Sequence, residues 1–108
     1  MAYYLLQGAY TSEAWANLLK NPTDRLEAVR PVIERLGGSV EGGWLAFGDY
    51  DVVLIFQMPD DLSAAALALA FSAGGAFKSM KTTPLMEFKN GIEAMKKAAG
   101  AGYQPLNK

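Results

Sequence analysis

Two predicted β-strands, residues 2–10 and 51–58, carry apolar side chains on both of their faces. Successive side chains of a strand point to opposite faces of the sheet, so the neighbours Tyr4 and Leu5 of the first segment lie on different faces. A strand that is apolar on both faces has to be covered on both faces. A single layer of helices covers only one of them, so something else must cover the other.

The rest of the chain is predicted to form helices and two further strands. Helices are indicated by apolar residues that recur every three or four positions, and their ends by capping residues and glycines. In chain order we expect a strand over 2–10, a short helical turn after Thr11, a helix that runs to about 36, strands over 39–47 and 51–58, a helix from about 60 to 73, a strand over about 76–82 and a helix over about 87–99. The expected buried stripes are Leu26, Val29, Ile33 and Leu36 in the first long helix, Leu62, Ala66, Leu69 and Ala73 in the second, and Phe88, Ile92, Met95 and Ala99 in the last.

This order predicts an α+β fold: a ferredoxin-like βαββαβ antiparallel sheet with helices on one face, plus a C-terminal helix. We expect a single domain over 1–108, with its core over about 2–99 and a tail over 100–108. The simplest cover for the second sheet face is another copy of the chain, sheet against sheet, which gives a dimeric α+β barrel. The charged fraction of 19% is low beside a hydrophobic fraction of 51%, and this also favours a surface that a partner covers.

The composition excludes several classes of site. The chain has no cysteine and no histidine, so disulfides, thiolate or imidazole metal sites and serine–histidine triads are impossible, and we expect no metal and no cofactor. Its net charge is −1, with acidic and basic residues well mixed, which argues against nucleic acid as a partner. No apolar run approaches the roughly 20 residues of a membrane span. The first residues lack the pattern of a secretory signal, so we expect a cytoplasmic protein with no membrane partner.

The run Phe47-Gly48-Asp49-Tyr50-Asp51 leads directly into the second of the two strands that are apolar on both faces, and it resembles the signature of the GYD domain family. Gly48, Tyr50 and Asp51 match that signature, and further matches are Tyr10-Thr11, the helix that ends in Gly37-Gly38, Pro59-Asp60 and Thr82. The resemblance covers about residues 2–100 and implies a ferredoxin-like fold of the dimeric barrel type. It implies little about activity, because the family as a whole has no assigned biochemical function. Similar dimeric barrels include small monooxygenases, isomerases and heme-handling proteins, but several of these use histidine, which this chain lacks.

The candidate site residues fall around this signature. Asp49 and Asp51 are two residues apart, so on an extended chain they face the same way with ~7 Å between their Cα atoms. They could form an acid/base pair or hold a cation, but Asp is also common in turns, where it accepts backbone hydrogen bonds, and we favour that second role. The candidate ligand-binding residues are Tyr10, Trp44, Asp49, Tyr50 and Thr82, and the candidate catalytic residues are Tyr50, Asp51 and Tyr10.

Three functions are compatible with these residues. The favoured one is a homodimer that binds a small hydrophobic or aromatic molecule in a cavity between sheet and helices. The second is a cofactor-free enzyme, similar to an isomerase or monooxygenase, in which Tyr10, Tyr50 and Asp51 move protons. The third is a structural subunit of a larger homo-oligomer. Fold alone does not decide among them, and neither the ligand nor any reaction follows from the sequence.

Overall fold

Two long strands form the centre of the sheet, and the other elements are arranged around them. The computed structural model describes residues 1–106, and within this range the elements are β1 (Ala2–Tyr10), α1 (Ser12–Lys20), α2 (Arg25–Arg35), β2 (Ser39–Leu45), β3 (Val52–Met58), α3 (Asp61–Gly74), β4 (Phe77–Leu85) and α4 (Phe88–Ala99). The four described strands have the order β2-β3-β1-β4, and all neighbours are antiparallel. This is the predicted ferredoxin-like arrangement, with the two-sided strands β1 and β3 in the middle.

Side-chain caps fix where three of the helices begin. Thr11 accepts a hydrogen bond from a backbone N–H of α1, Asp24 from two of α2 and Asp60 from one of α3. These bonds satisfy donors that the first turn of a helix leaves without an intrahelical partner. At the other end of α3, Gly75 adopts the left-handed conformation, with φ of 74°, and stops the helix as its sequence predicts.

The core lies on one face of the sheet. The buried side chains that form it are Tyr4 and Leu6 of β1, Leu54, Phe56 and Met58 of β3, Ile33 of α2, and Ala64 and Leu67 of α3. The predicted stripe of α2 is confirmed, because Ile33 is fully buried and the other three members of the stripe pack partly buried against the core. α2 and α3 therefore form the one helix layer of the predicted fold.

The predicted stripe of α3 is wrong. Leu62 and Leu69 are 81% and 70% exposed, and the helix instead buries Ala64 and Leu67. The sequence of α3 is mostly alanine and leucine with few polar residues, so its apolar pattern does not mark one face. The face that packs is decided by the fit to the sheet.

The predicted burial of α4 is also wrong. Its stripe exists, but Phe88 is 92% exposed, Met95 67% and Ile92 50%, and the helix buries no residue. The described chain is 58 Å long in its greatest dimension and only 22 Å in its least. Its radius of gyration is 17.3 Å, whereas ~13 Å is typical of a compact chain of this length. α4 thus projects away from the rest of the fold.

The two edge strands differ from their predicted bounds. β4 does not stop at Thr82 but continues to Leu85, with Pro84 opposite Tyr4 of β1. Proline is tolerated there because an edge strand has one row of N–H groups without a partner strand. β2 stops at Leu45 rather than at Phe47, and its register shifts by a bulge between Val40 and Gly42.

The second face of the sheet has no helix layer in the described part of the chain. Tyr3, Leu5, Val53 and Ile55 lie on it, each half-buried among its strand neighbours. Trp44 of β2 is 58% exposed on the same face. The expectation that helices cover only one face is therefore confirmed, and this apolar surface, the open face, faces outward. No helix among the described residues has the length and apolar character needed to cross a membrane.

Residues 107 and 108 of the predicted tail lie outside the described residues. Within the part of the tail that is described, Tyr103 is 76% exposed and Leu106 is 95% exposed. Gly102 has a positive φ of 74°, which turns the chain at that point.

Candidate ligand-binding cavity

A cavity of about 480 Å³ lies between the helix-covered face of the sheet and the two helices that pack on it. This volume lies within the range of roughly 300–1,000 Å³ that is usual for small-molecule sites. The strands contribute mainly apolar side chains to its wall, namely Leu6, Tyr10, Val52, Leu54 and Phe77, and the helices contribute Leu26, Val29, Ala70 and Phe71. The cavity is partly open to the surface, so a ligand has a path into it.

Small residues leave the space that larger side chains would fill. Gly43, Ala70, Gly74 and Ala76 all line the cavity. Gly43 also permits a close approach, because a Cβ there would lie 2.8 Å from a methyl carbon of Leu26. Leu26 can therefore pack directly on the backbone of β2, and α2 lies close to the sheet at this end of the cavity.

Stacked aromatic rings form one wall. The rings of Tyr10 and Phe77 are stacked with their centroids 5.0 Å apart, and Trp15 meets Tyr10 edge-on at 5.3 Å. Phe71 of α3 lies near Phe77, with the two ring centroids 6.1 Å apart and the rings tilted by 50°. A register shift between Ala9 and Tyr10 brings Tyr10 opposite Phe77. Such ring pairs add specific attraction to their apolar burial, so the wall is well fixed.

Asp51 holds the end of β1 that carries this wall. Its carboxylate oxygen Oδ2 accepts a hydrogen bond of 2.9 Å from the backbone N–H of Tyr10 and one of 3.3 Å from the indole N–H of Trp15. The backbone N–H of Asp51 in turn donates to the carbonyl of Gly8 at 2.8 Å. One residue of the signature thus ties the loop before β3 to both β1 and α1.

Polar groups lie at one side of the cavity, where α2 begins. Thr23, Asp24 and Arg25 line it there, and the Asp24 carboxylate is occupied with capping α2. Tyr10 lies close to Arg25 there. Burial raises the pKa of Tyr10, and the nearby Arg25 guanidinium partly offsets that rise. The site is therefore an apolar chamber with a few polar groups on one side, an arrangement typical of sites that bind small organic molecules.

The structure brings only some of the predicted site residues to this cavity. Tyr10 and Trp44 line it, although the Trp44 ring lies over Gly42 on the open face. Asp49 is exposed in the loop between β2 and β3, and Tyr50 is half-buried in the same loop. Neither of them belongs to the cavity wall.

The last two candidates lie elsewhere. Asp51 lies behind the Tyr10 wall, where it accepts the two hydrogen bonds described above. Its carboxylate bonds to those donors while Asp49 remains exposed, so the structure does not show the two carboxylates acting as a pair. Thr82 lies opposite Leu6 on β4 and is not part of the wall.

The sequence prediction missed most of the lining residues. Phe71 and Phe77 lie on either side of Gly74-Gly75, where the second long helix is predicted to end, and Arg25 lies near the start of the first; no motif in the sequence marks any of the three as a site residue. The nearest signal in the sequence was Gly42-Gly43 beside Trp44, because glycines in a strand allow the backbone to approach another group closely.

Comparison with known proteins gives one result that bears on identity. A protein-family model described as GYD domain matches residues 4–97. No curated protein and no solved structure matches the chain significantly.

Proposed function

The chain belongs to the GYD domain family, and from that premise we propose that it is a homodimeric domain that binds a small hydrophobic or aromatic molecule between its sheet and its helices. The observation that carries this proposal is the cavity of about 480 Å³ behind the Tyr10–Phe77 wall. A partly open, mainly apolar pocket of this size is typical of the sites that bind small molecules.

The lining of the cavity indicates the chemistry of the ligand. Most of the wall consists of aliphatic and aromatic side chains, so binding is driven by burial of apolar ligand surface, at roughly 25 cal/mol per Å². Phe71, Phe77 and Tyr10 present ring edges and faces that suit a flat aromatic body. Thr23 and Arg25 are placed to orient a polar substituent at the side where α2 begins.

A ligand-binding experiment tests the first half of the proposal. We expect 2-naphthol, a flat aromatic probe, to raise the melting temperature of the protein, since a ligand at ~100 times its Kd stabilises the folded state by about 2.7 kcal/mol. The melting temperature is measured by differential scanning calorimetry, and the Kd by isothermal titration. Decanoate serves as a second, aliphatic probe. Absence of binding by both probes would contradict the proposal.

A pair of variants in which an alanine of α3 is replaced by phenylalanine locates the binding site. Ala70 and Ala65 are both exposed positions of α3, but only Ala70 lines the cavity. We expect Ala70→Phe to fill the cavity and weaken naphthol binding at least tenfold, whereas Ala65→Phe leaves the Kd within about twofold. Equal affinity in both variants would show that the probe binds elsewhere.

The open face supports the homodimer. Leu5 and Ile55 lie directly opposite each other at its centre, next to Tyr3 and Val53. Apolar side chains grouped at the centre of a sheet face that no helix covers are typical of an interface. A second copy of the same face would cover it, sheet against sheet, with twofold symmetry.

Sedimentation velocity tests the dimer. We expect the unaltered protein to sediment as a dimer at micromolar concentration and Ile55→Lys to sediment as a monomer, because it buries an unpaired charge in the interface. Ser72→Lys is the matched control, since Ser72 is exposed on α3, on the helix side of the sheet. A folded monomer for the unaltered protein would overturn the dimer.

A further inference from the structure

Helix α4 projects from the fold with its apolar side uncovered. Resting on the homodimer proposed above, we propose that α4 is an exchanged arm: it packs its apolar stripe on the body of the second copy rather than on its own. The body is defined here as residues 1–87. Two arms related by the twofold axis then clasp the dimer.

The stripe of α4 has the form of a packing surface. Phe88, Ile92, Met95 and Ala99 follow one another at intervals of four, three and four, which places them on one side of the helix. A helix of about 12 residues is marginal in water without tertiary contacts. α4 buries none of its residues against its own chain, so its stability has to come from another surface.

The area of the open face also favours an arm from the second copy. Four strands ~4.8 Å apart and ~25 Å long present roughly 500 Å², whereas a stable interface buries about 800 Å² on each partner. A 12-residue helix is ~18 Å long and ~10 Å wide, so it covers roughly 180 Å². Each copy buries this additional area twice, once on its own arm and once on the part of its body that the partner's arm covers. The area buried on each copy then reaches about the 800 Å² of a stable interface.

The charges of arm and body are complementary. α4 carries three lysines, Lys89, Lys96 and Lys97, and one acidic residue, Glu93. Residues 1–87 carry ten acidic side chains and six basic ones. A positive arm is therefore attracted to a negative body, and this complementarity favours the docked arrangement and speeds encounter of the two copies.

Photo-crosslinking identifies which body the arm contacts. With Ile92 replaced by benzoylphenylalanine, we expect irradiation to give a covalent dimer whose crosslinked peptides join residue 92 to the body of another copy. Mixing ¹⁵N-labelled and unlabelled protein before irradiation separates links between copies from links within one copy. Links only within one copy would overturn the exchanged arm, because they show α4 folded back on its own sheet.

Paired substitutions measure the contribution of the arm. Ile92→Ser with Met95→Ser removes the centre of the stripe, and we expect the dimer Kd to rise at least tenfold. The matched control is Asn90→Ser with Lys97→Ser on the opposite side of α4. We expect its dimer Kd to stay within about threefold of that of the unaltered protein, because the loss of one exposed lysine costs little. A Kd unchanged by the stripe variant would overturn the inference.

These outcomes separate the arm from the dimer itself. If the unaltered protein is a monomer, the homodimer and the arm both fail. If it is a dimer whose Kd does not change in the stripe variant and whose crosslinks lie within one copy, only the exchanged arm is overturned, and the face-to-face dimer is retained. Circular dichroism of the variants shows whether the body stays folded, and crosslinking of the otherwise unaltered protein gives an answer even if the stripe variant unfolds.

Discussion

The carboxylate of Asp51 ties the loop before β3 to two elements, β1 and α1, through a single oxygen. It accepts hydrogen bonds from the backbone of Tyr10 and from the indole of Trp15, and its own N–H bonds to Gly8. Hydrogen bonds to a charged acceptor contribute more than neutral ones, and donors left without a partner are costly. The signature aspartate therefore stabilises the aromatic wall of the cavity from behind.

Replacement of Asp51 tests this role. We expect Asp51→Ala to lower the free energy of unfolding by about 2–3 kcal/mol, because two donors lose a charged acceptor. Urea denaturation followed by circular dichroism gives the value. Asp49→Ala, two residues away and exposed, is the matched control and should change stability by less than about 0.5 kcal/mol. Equal small effects in both variants would show that the two hydrogen bonds contribute little.

The hydrogen bond between Tyr4 and Asp61 leads us to expect that the free energy of unfolding changes at alkaline pH. Its hydroxyl donates to the carboxylate of Asp61, and this bond, together with burial, raises the pKa of Tyr4 to about 12. Because the pKa is higher in the folded state than its ordinary value of 10.0, the stabilisation is fully present below pH 10 and is lost as the pH rises towards 12. We expect the stability advantage of the unaltered protein over Tyr4→Phe to shrink across that range.

Urea titrations at pH 9 and at pH 11 measure this difference. The other tyrosines are present in both proteins, so their ionisation contributes to both and largely cancels from the comparison. A constant difference between the two proteins from pH 9 to pH 11 would contradict the role of the Tyr4–Asp61 bond.

At the scale of single elements, Gly38 sets the distance between α2 and the β2–β3 hairpin. A Cβ at this position would collide with the backbone carbonyl oxygen of Gln57 and press on the sulfur of Met58. A backbone atom cannot rotate away as a flexible side chain can, so the clash must move the strand. The start of β2 thus requires glycine for space rather than for a left-handed φ.

Alanine substitution at two glycines tests this requirement. We expect Gly38→Ala to destabilise the protein by about 1–3 kcal/mol through overpacking. Gly48→Ala is the control, because nothing lies within 4 Å of a Cβ there and its φ is not positive. It should leave stability unchanged or raise it slightly. Thermal and urea unfolding of both variants give the comparison, and a neutral Gly38→Ala would contradict the close approach.

The sequence predicted the elements best where its pattern was unambiguous. β1 has the predicted bounds, and the stripe of α2 packs as expected, because polar residues separate its apolar positions. α3 was placed correctly along the chain but not in rotation, since alanine and leucine occupy nearly all of its sides. The apolar stripe of α4 was recognised, but a local sequence pattern does not indicate whether the surface that covers it belongs to the same chain.

The cavity was less predictable than the fold. Its walls come from all four strands and from α2 and α3, and a cavity depends on how far such elements stand apart. Tyr10 was identified because its phenol suits a pocket mouth and because Tyr10-Thr11 matches the family pattern, whereas Phe71 and Ala76 acquire their role only by tertiary packing. The residues of the signature run were the obvious candidates, and all three of them, Asp49, Tyr50 and Asp51, lie outside the wall.

At the scale of the whole molecule, the interface proposed on the open face would link folding to association. If the folded state is a dimer, the melting temperature rises with protein concentration by mass action. We expect a rise of several degrees between about 1 µM and about 100 µM, measured by scanning calorimetry or fluorescence. Ile55→Lys should remove this dependence, and a melting temperature independent of concentration in the unaltered protein would contradict the dimer.

The two sheet edges have a consequence for how the molecule avoids uncontrolled polymerisation. Each edge strand has a row of unpaired backbone groups that a strand of another molecule can extend, which is the geometry of fibril growth. β4 carries Pro84 as well as Lys78 and Lys81, and β2 is bent by its bulge beside Glu41. These features oppose lateral addition of strands at the edges. An apolar sheet face can then associate with another sheet face without the edges extending into filaments.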